Sequence, residues 1–328
     1  MRRTAVRVLL PIVLLLAALV AGVTLWGWSQ FDSEGPLEDP ATVILDPGLG
    51  LQDIARRLEE VGVIGSAMVF SVGVRFAGAH HRLRAGEYAF ELGVSPRAVM
   101  EELVAGEVVV HRLTLPEGLS SAEIVALVGA APALAGEIVE SVPEGSLLPE
   151  TYHYVYGDDR AELIARMQTA MEAALDELWP ARAEGLPFST PEEAVVLASI
   201  VEKETGVTGE RALVAGVFVN RLRIDMLLQS DPTVAYAISR GGIVLDRPLR
   251  RFDLEVDDPY NTYRHRGLPP GPIANPGRAA LEAALHPAET GAYYFVADGT
   301  GGHAFAATLD EHNVNVRRYR DMQSGGAL

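Results

Sequence analysis

Cysteine is missing from the 328-residue chain, which excludes disulfides and thiolate chemistry and leaves the redox compartment unspecified. Lysine is almost missing as well, since all but one of the 27 basic side chains are arginine and the exception is Lys203. Positive charge is scarce against 44 acidic residues. The net charge of −17 and the pI near 4.9 lack the cationic footprint that nucleic acid requires, so no nucleic-acid partner is expected. There is no phosphate-cradling Gly-x-x-x-x-Gly-Lys, no Gly-x-Ser-x-Gly elbow and no His-Glu-x-x-His helix. His265, His286, His303 and His312 are scattered without ligand spacing, and Gly301-Gly302-His303 reads as a turn with one satisfied histidine. Neither a metal nor a cofactor is expected.

What the chain does have is a long uncharged run near its start. Arg2, Arg3 and Arg7 precede it, and Val8 to Trp28 carries no charge. Such a run spans roughly 31 Å as a helix, against a hydrocarbon core of about 30 Å. Trp26 and Trp28 stand at its far end, where aromatic rings favour the membrane interface, and the charges that follow are Asp32, Glu34, Glu38 and Asp39. These features predict an uncleaved single-pass anchor, residues 1–28, in the plasma (inner) membrane. The N-terminus would be cytoplasmic and the bulk of the chain periplasmic or extracellular. A cleaved signal peptide is the alternative, opposed by the length of the run and by the apolar Val23-Thr24-Leu25-Trp26 where a polar start should follow cleavage.

A hydrophobic content of 48% over this length allows two domains and a sizeable core. Residues 29–41 read as a short acidic linker. From 42 to 110 a small unit is expected: a strand at Val43–Leu45, helices with apolar spacing at Leu51, Ile54, Ala55 and Leu58 and again after Ser66, a strand over Gly86–Phe90, and a helix from Ser95-Pro96 to Gly106. Residues 111–328 form the larger unit. It opens with a strand at His111 that runs into a turn, has helices near 158–178, 191–205, 210–224 and 277–285, a strand at Tyr293–Val296 and a C-terminal helix. Helices with scattered strands make the fold class α+β.

The helix at 191–205 carries the chemistry. Thr190 caps it, Pro191 takes the first position, Glu193 completes a capping box, and Ala194 to Val201 is apolar apart from Ser199. A helix apolar on nearly all sides is buried. Glu202, leaving such a helix at its last turn, is therefore a candidate general acid, its pKa raised by burial; the alternative is that Glu202, Lys203 and Glu204 sit on a fraying helix end that faces solvent. Ser199 and Thr205 share its face, Lys203 is rotated away, and Glu204 projects roughly 200° from it. Lys203 is a candidate supporting residue, because a lone ammonium among guanidiniums suggests a crowded position; the alternative is that a single survivor must lie somewhere. Gln229-Ser230-Asp231-Pro232-Thr233 and Pro259-Tyr260-Asn261-Thr262-Tyr263 group amides and hydroxyls with aromatic faces. That mixture suits a sugar, although each segment alone could equally be a turn.

Taken in order, these segments resemble a known family. Leu197-Ala198-Ser199-Ile200-Val201-Glu202-Lys203-Glu204-Thr205 looks like the signature of the YceG-like family of endolytic murein transglycosylases (MltG). So do Val217–Leu222, Leu228–Thr233, Tyr260–Tyr263, Gly267–Ile273, Tyr294–Ala297 and Gly301-Gly302-His303. The resemblance implies a LysM-like subdomain at 42–110 and a catalytic domain at 111–328. It also implies cleavage of nascent peptidoglycan between N-acetylmuramic acid and N-acetylglucosamine to give 1,6-anhydro ends, terminating strand elongation, with peptidoglycan synthases as partners. It would place the acid/base on Glu202 and glycan contacts on Gln229, Ser230, Asp231, Asn261 and Tyr263, with Ser199 and Lys203 in support. A hydrolytic muramidase, which needs a second carboxylate, and a non-catalytic wall-binding scaffold remain as alternatives.

Overall fold

The computed structural model describes residues 2–242 and 247–325, with residues 2–10 and 325 given by their backbone alone. The basic tip Met1 to Arg7 thus lies outside the described side chains. The chain divides into two compact units, Met1–His111 with Tyr154–Gly157, and Arg112–His153 with Asp158–Leu328.

The first unit begins with α1 (Arg2–Asp32), whose stretch Pro11–Asp32 is the one described helix long and apolar enough to cross a membrane. Next come β1 (Ala41–Leu45), α2 (Leu51–Glu60), α3 (Ala67–Phe76), β2 (Gly86–Phe90) and α4 (Pro96–Ala105). β1 and β2 pair antiparallel from Ala41↔Phe90 to Leu45↔Gly86. Their inward residues Val43, Leu45, Tyr88 and Phe90 meet Ile54, Leu58, Phe70 and Leu103 in a closed core. Local signals set the helix ends: the Ser66 and Ser95 hydroxyls cap α3 and α4, and Gly106 closes α4 in the left-handed region at φ +74°.

The expected linker at 29–41 is not free chain. Residues 29–32 continue α1, and Phe31 is 1% exposed, packed on the face of α3 where Gly73 leaves room for its ring. Gly93 then ties this segment down by backbone hydrogen bonds, its carbonyl accepting from the Gly35 N–H and its N–H donating to Leu37 O. A buried aromatic and a small backbone ladder override the acidic, Gly/Pro-rich composition.

The second unit is mainly helical: α5 (Ser121–Ala130), α6 (Arg160–Leu178), α7 (Pro191–Glu204), α8 (Arg211–Arg223), α9 (Asp231–Ser239), α10 (Arg278–Leu285) and α11 (Leu309–Gly325). Of the two remaining ribbons, the first has residues in each unit and the second lies in this one. β3 (Val110–Thr114) pairs with β4 (Thr151–Val155), and β5 (Tyr294–Ala297) pairs antiparallel with β6 (His303–Ala306). The α+β class therefore holds. α7 is the central rod: every residue from Ala194 to Val201 is buried, against Val214, Phe218, Leu281, Ala284 and Leu285 of α8 and α10. Its capping box forms as its sequence predicts, with the Thr190 hydroxyl accepting from Glu193 N–H and the Glu193 carboxylate from Thr190 N–H. The Gln229–Thr233 segment, which suits a sugar contact or a turn by sequence, leads into α9. Ser230 and Asp231-Pro232 open this helix, which buries Thr233, Val234 and Ala237.

Candidate active site

α7 ends on two carboxyls that face different surroundings. Glu202 points into an ionic cluster, its side chain 4% exposed. One of its oxygens accepts from Arg211 Nη2 at 3.0 Å and the other from the Gly277 N–H at 3.0 Å. The same Arg211 nitrogen donates to Glu117 Oε2 at 3.1 Å. Gly277 has no room for a side chain, because a Cβ there would lie 1.9 Å from the Glu117 carboxylate. Burial and the neighbouring Glu202 raise the Glu117 pKa, and Arg211 opposes them. The isolated buried carboxyl expected at Glu202 is thus a partnered one: it ties α7 to the start of α8 and to the loop before α10.

Glu204 lies on the other side of α7 and lines a cleft of about 480 Å³. Arg221, Gln229, Asp231, Tyr263, Tyr294 and His303 share that lining. The Ser230 hydroxyl donates to its Oε1. Burial, reinforced by the Asp231 charge, outweighs that hydrogen bond and the nearby His303 and Arg221, and pushes the Glu204 pKa up to about 7. A carboxyl poised there can give and take a proton near neutrality.

The walls are fixed by a second layer of hydrogen bonds. Tyr263 donates its hydroxyl to Asp231 Oδ1 at 2.5 Å, and burial raises its pKa further from the ordinary phenol range. Arg221 is 6% exposed and donates to the carbonyls of Tyr293 and Leu228, both at 2.6 Å, beneath the Tyr294 ring. His303 opens β6 and shares a 2.7 Å hydrogen bond between Nδ1 and Glu210, which also accepts the His303 N–H. The turn with one satisfied histidine is present, and it also borders the cleft. A second cavity of about 560 Å³, lined by Gly118, Lys203, Tyr236 and Ser239, shares Asp231 with the first.

The sequence-derived site residues separate on this geometry. Gln229, Asp231 and Tyr263 face the cleft. Ser230 is 1% exposed and serves Glu204 rather than open space. Asn261 is fully buried: its Nδ2 donates to the Leu254 and Val256 carbonyls and its Oδ1 accepts from the Tyr263 N–H, so it pins a loop. Ser199 is also fully buried, donating to Val196 O and accepting from the Ile273 N–H, which holds the Gly267–Ile273 segment against α7. Lys203 Nζ donates to Gly118 O at 3.0 Å and borders the second cavity. Sequence reasoning missed Glu204, Arg221, Tyr294 and His312 as cleft residues. For Glu204 the signal was present, two positions from Glu202, but α7 is apolar all round and its sequence does not reveal which side opens.

Among the described residues no group of three or more His, Asp or Glu side chains gathers as a metal site would require. With the cleft defined, the comparison with known proteins is specific. The YceG-like family model matches residues 43–318. The chain belongs to the YceG-like family. Among its relatives, the endolytic murein transglycosylase of Bacillus subtilis strain 168 is 31% identical over 333 residues, covering 92% of this chain and 91% of that protein. That of Streptococcus pneumoniae strain D39 is 31% identical over 324 residues, covering 85% of this chain and 58% of a longer protein. A crystal structure of a YceG-like protein from Listeria monocytogenes aligns with a TM-score of 0.53 at 30% identity, over 84% of this chain and 99% of that one. The YceG-like match thus spans both units and includes every residue of the cleft.

Proposed function

We propose that this chain is a membrane-anchored endolytic murein transglycosylase whose acid/base is Glu204. The observation that carries the assignment is a carboxyl with pKa near 7 in an open polar cleft, in a chain whose relatives are named endolytic murein transglycosylases. The assignment moves from Glu202 to Glu204 because the Glu202 carboxylate has both oxygens engaged inside the protein.

Protonated Glu204 gives its proton to the glycosidic oxygen as the bond to the muramic anomeric carbon breaks. The resulting carboxylate then takes the proton of the muramic 6-hydroxyl, which attacks that carbon within its own ring. One bond breaks and one forms, no water is consumed, and Glu204 returns to its starting state. Tethering the hydroxyl to the reacting ring raises its effective concentration far above that of a free alcohol, so no nucleophilic carboxylate is needed. Asp231, held by Tyr263, supplies negative charge where positive charge develops at the anomeric carbon. Gln229 and the Tyr263 and Tyr294 rings provide the amide and aromatic surfaces that orient a sugar.

The anchor reading places the N-terminus in the cytoplasm and the catalytic unit outside, supported by arginines before the span and acids after it. The β1–α2–α3–β2 order supports a LysM-like glycan-binding role for the first unit. Cleavage inside nascent strands near the membrane would end their elongation and bring the enzyme alongside peptidoglycan synthases.

Mass analysis of the ends formed from uncrosslinked glycan tests the reaction. Wild type should yield 1,6-anhydro-muramyl ends, lighter by one water than hydrolytic ends. Asp231 favours one rival, because a second carboxylate in the same cleft is what a muramidase requires. Reducing muramic ends would assign that chemistry, and absence of cleavage would leave a wall-binding scaffold.

A further inference from the structure

α3 has a second apolar face that the core of its unit does not use. Phe70, Gly73 and Val74 point inward, whereas Met68, Val72 and Phe76, spaced four residues apart on the opposite side, are 76%, 48% and 73% exposed. A ten-residue helix seldom leaves three large apolar side chains in one stripe facing water, and such a patch marks a contact surface. Its location identifies the contact. α3 packs against the end of α1, and an apolar groove of about 200 Å³ between them is lined by Val23, Gly27 and Trp28 on one side and Met68, Val72 and Phe76 on the other.

The stripe therefore lies at a defined height along the helix that reads as the membrane span. Counting roughly 20 residues for the hydrocarbon core from Val8 puts the outer boundary at Gly27–Trp28, and the groove brackets that position. Phe31, the residue that docks on Gly73, stands only about 4.5 Å further along the axis. Polar groups suited to headgroups sit at the same level. The Arg97 guanidinium lies 5.1 Å from the Trp28 ring and 5.3 Å from the Phe31 ring while pairing with Asp32, and Arg75 is exposed beside Phe76.

We propose that α3 is an interfacial helix, seated in the outer leaflet with Met68, Val72 and Phe76 among the upper acyl segments and Arg75 and Arg97 at the phosphates. The occupant of the groove is phospholipid, and the first unit rests on the bilayer surface. Amphipathic helices of this kind gain affinity from buried apolar area together with attraction of basic side chains to anionic lipid. The proposal rests on the reading of α1 as a membrane span.

The chain has no cysteine, so single labels are unambiguous. Full-length protein carrying a nitroxide at Val72→Cys, Leu15→Cys or Glu60→Cys would be reconstituted in nanodiscs of phosphatidylethanolamine and phosphatidylglycerol. Collision rates with oxygen and with a water-soluble nickel chelate would then be compared. The Leu15→Cys label reports the span, and the Glu60→Cys label an exposed position on α2. The expected result is an oxygen-dominated Val72→Cys label, intermediate in depth between the other two, with the Glu60→Cys label nickel-dominated. A Val72→Cys label matching Glu60→Cys while Leu15→Cys stays oxygen-dominated would overturn the interfacial helix and leave the anchor intact. Nickel access at Leu15→Cys would overturn the anchor reading and the proposal with it. Spin–spin broadening at Val72→Cys that grows with protein-to-lipid ratio would assign the stripe to a second copy of the chain and refute the lipid contact.

Discussion

Glu202 and Glu204 are the same residue type two positions apart, yet the protein gives them opposite environments. The Glu202 carboxylate is satisfied by Arg211 and a backbone N–H, and the Glu204 carboxyl is half-buried beside Asp231 with a single hydroxyl donor. Glu204→Gln keeps shape and should abolish cleavage, a loss of at least about 10²–10⁴-fold, whereas Glu202→Gln should retain turnover per folded molecule. Near-normal anhydro product from Glu204→Gln would refute the assignment. Because the acid form is needed first, kcat/KM should fall as pH rises above about 7. Stability carries the same signature. The folded pKa is raised above the ordinary carboxyl value of 4.5, so the protonated group's contribution is fully present below that value and is lost as pH rises through about 7. Wild type should therefore melt at lower temperature than Glu204→Gln at pH 8, and the gap should close near pH 4. Glu202→Ala is the opposite case. Leaving the buried Arg211 with Glu117 alone should cost about 3–5 kcal/mol, measurable by urea unfolding, with little change in the pH profile of the remaining activity.

At the scale of elements, α7 was legible because its determinants are local: Thr190, Pro191 and Glu193 start it, and the apolar run buries it. β4 and β6 were not legible, since a short strand is defined by a partner that is distant or lies across a turn. α9 was missed although Ser230 and Pro232 are helix-start residues, because the apolar stretch after them is short. The candidate site followed the same division. The motifs fall on segments that border the cleft, but Asn261 and Ser199 are internal braces, since hydrogen-bond partners such as Leu254 O and the Ile273 N–H come from the folded loops. Ser199 tests that bracing. Ser199→Ala would leave the Ile273 N–H without its acceptor in a fully buried position, and the expected loss is about 1–3 kcal/mol. Hydrogen exchange should quicken at Ile273, whereas an unchanged rate there would mean that the Gly267–Ile273 segment is held by other contacts.

For the whole molecule, the proposed span Pro11–Asp32 and the Glu204 cleft belong to one chain, and the contribution of that helix can be separated from the chemistry. An enzyme confined to a membrane meets strands growing from that membrane at an effective concentration set by the tether, without any added contact in its cleft. The point of truncation matters. Phe31 is a core residue of the first unit, so a chain starting at Glu34 would lose an aromatic whose removal typically costs about 3–5 kcal/mol. A chain starting at Ser29 removes the span and keeps Phe31. That shorter enzyme should cleave soluble uncrosslinked glycan as well as the full chain does, because Glu204, Asp231 and Tyr263 are untouched. On strands still attached to lipid in vesicles it should lose roughly 10²-fold relative to the full chain reconstituted in the same vesicles. Equal losses on both substrates would mean that truncation damaged the cleft. No loss on the lipid-linked strands would show that the anchor plays no part in substrate capture.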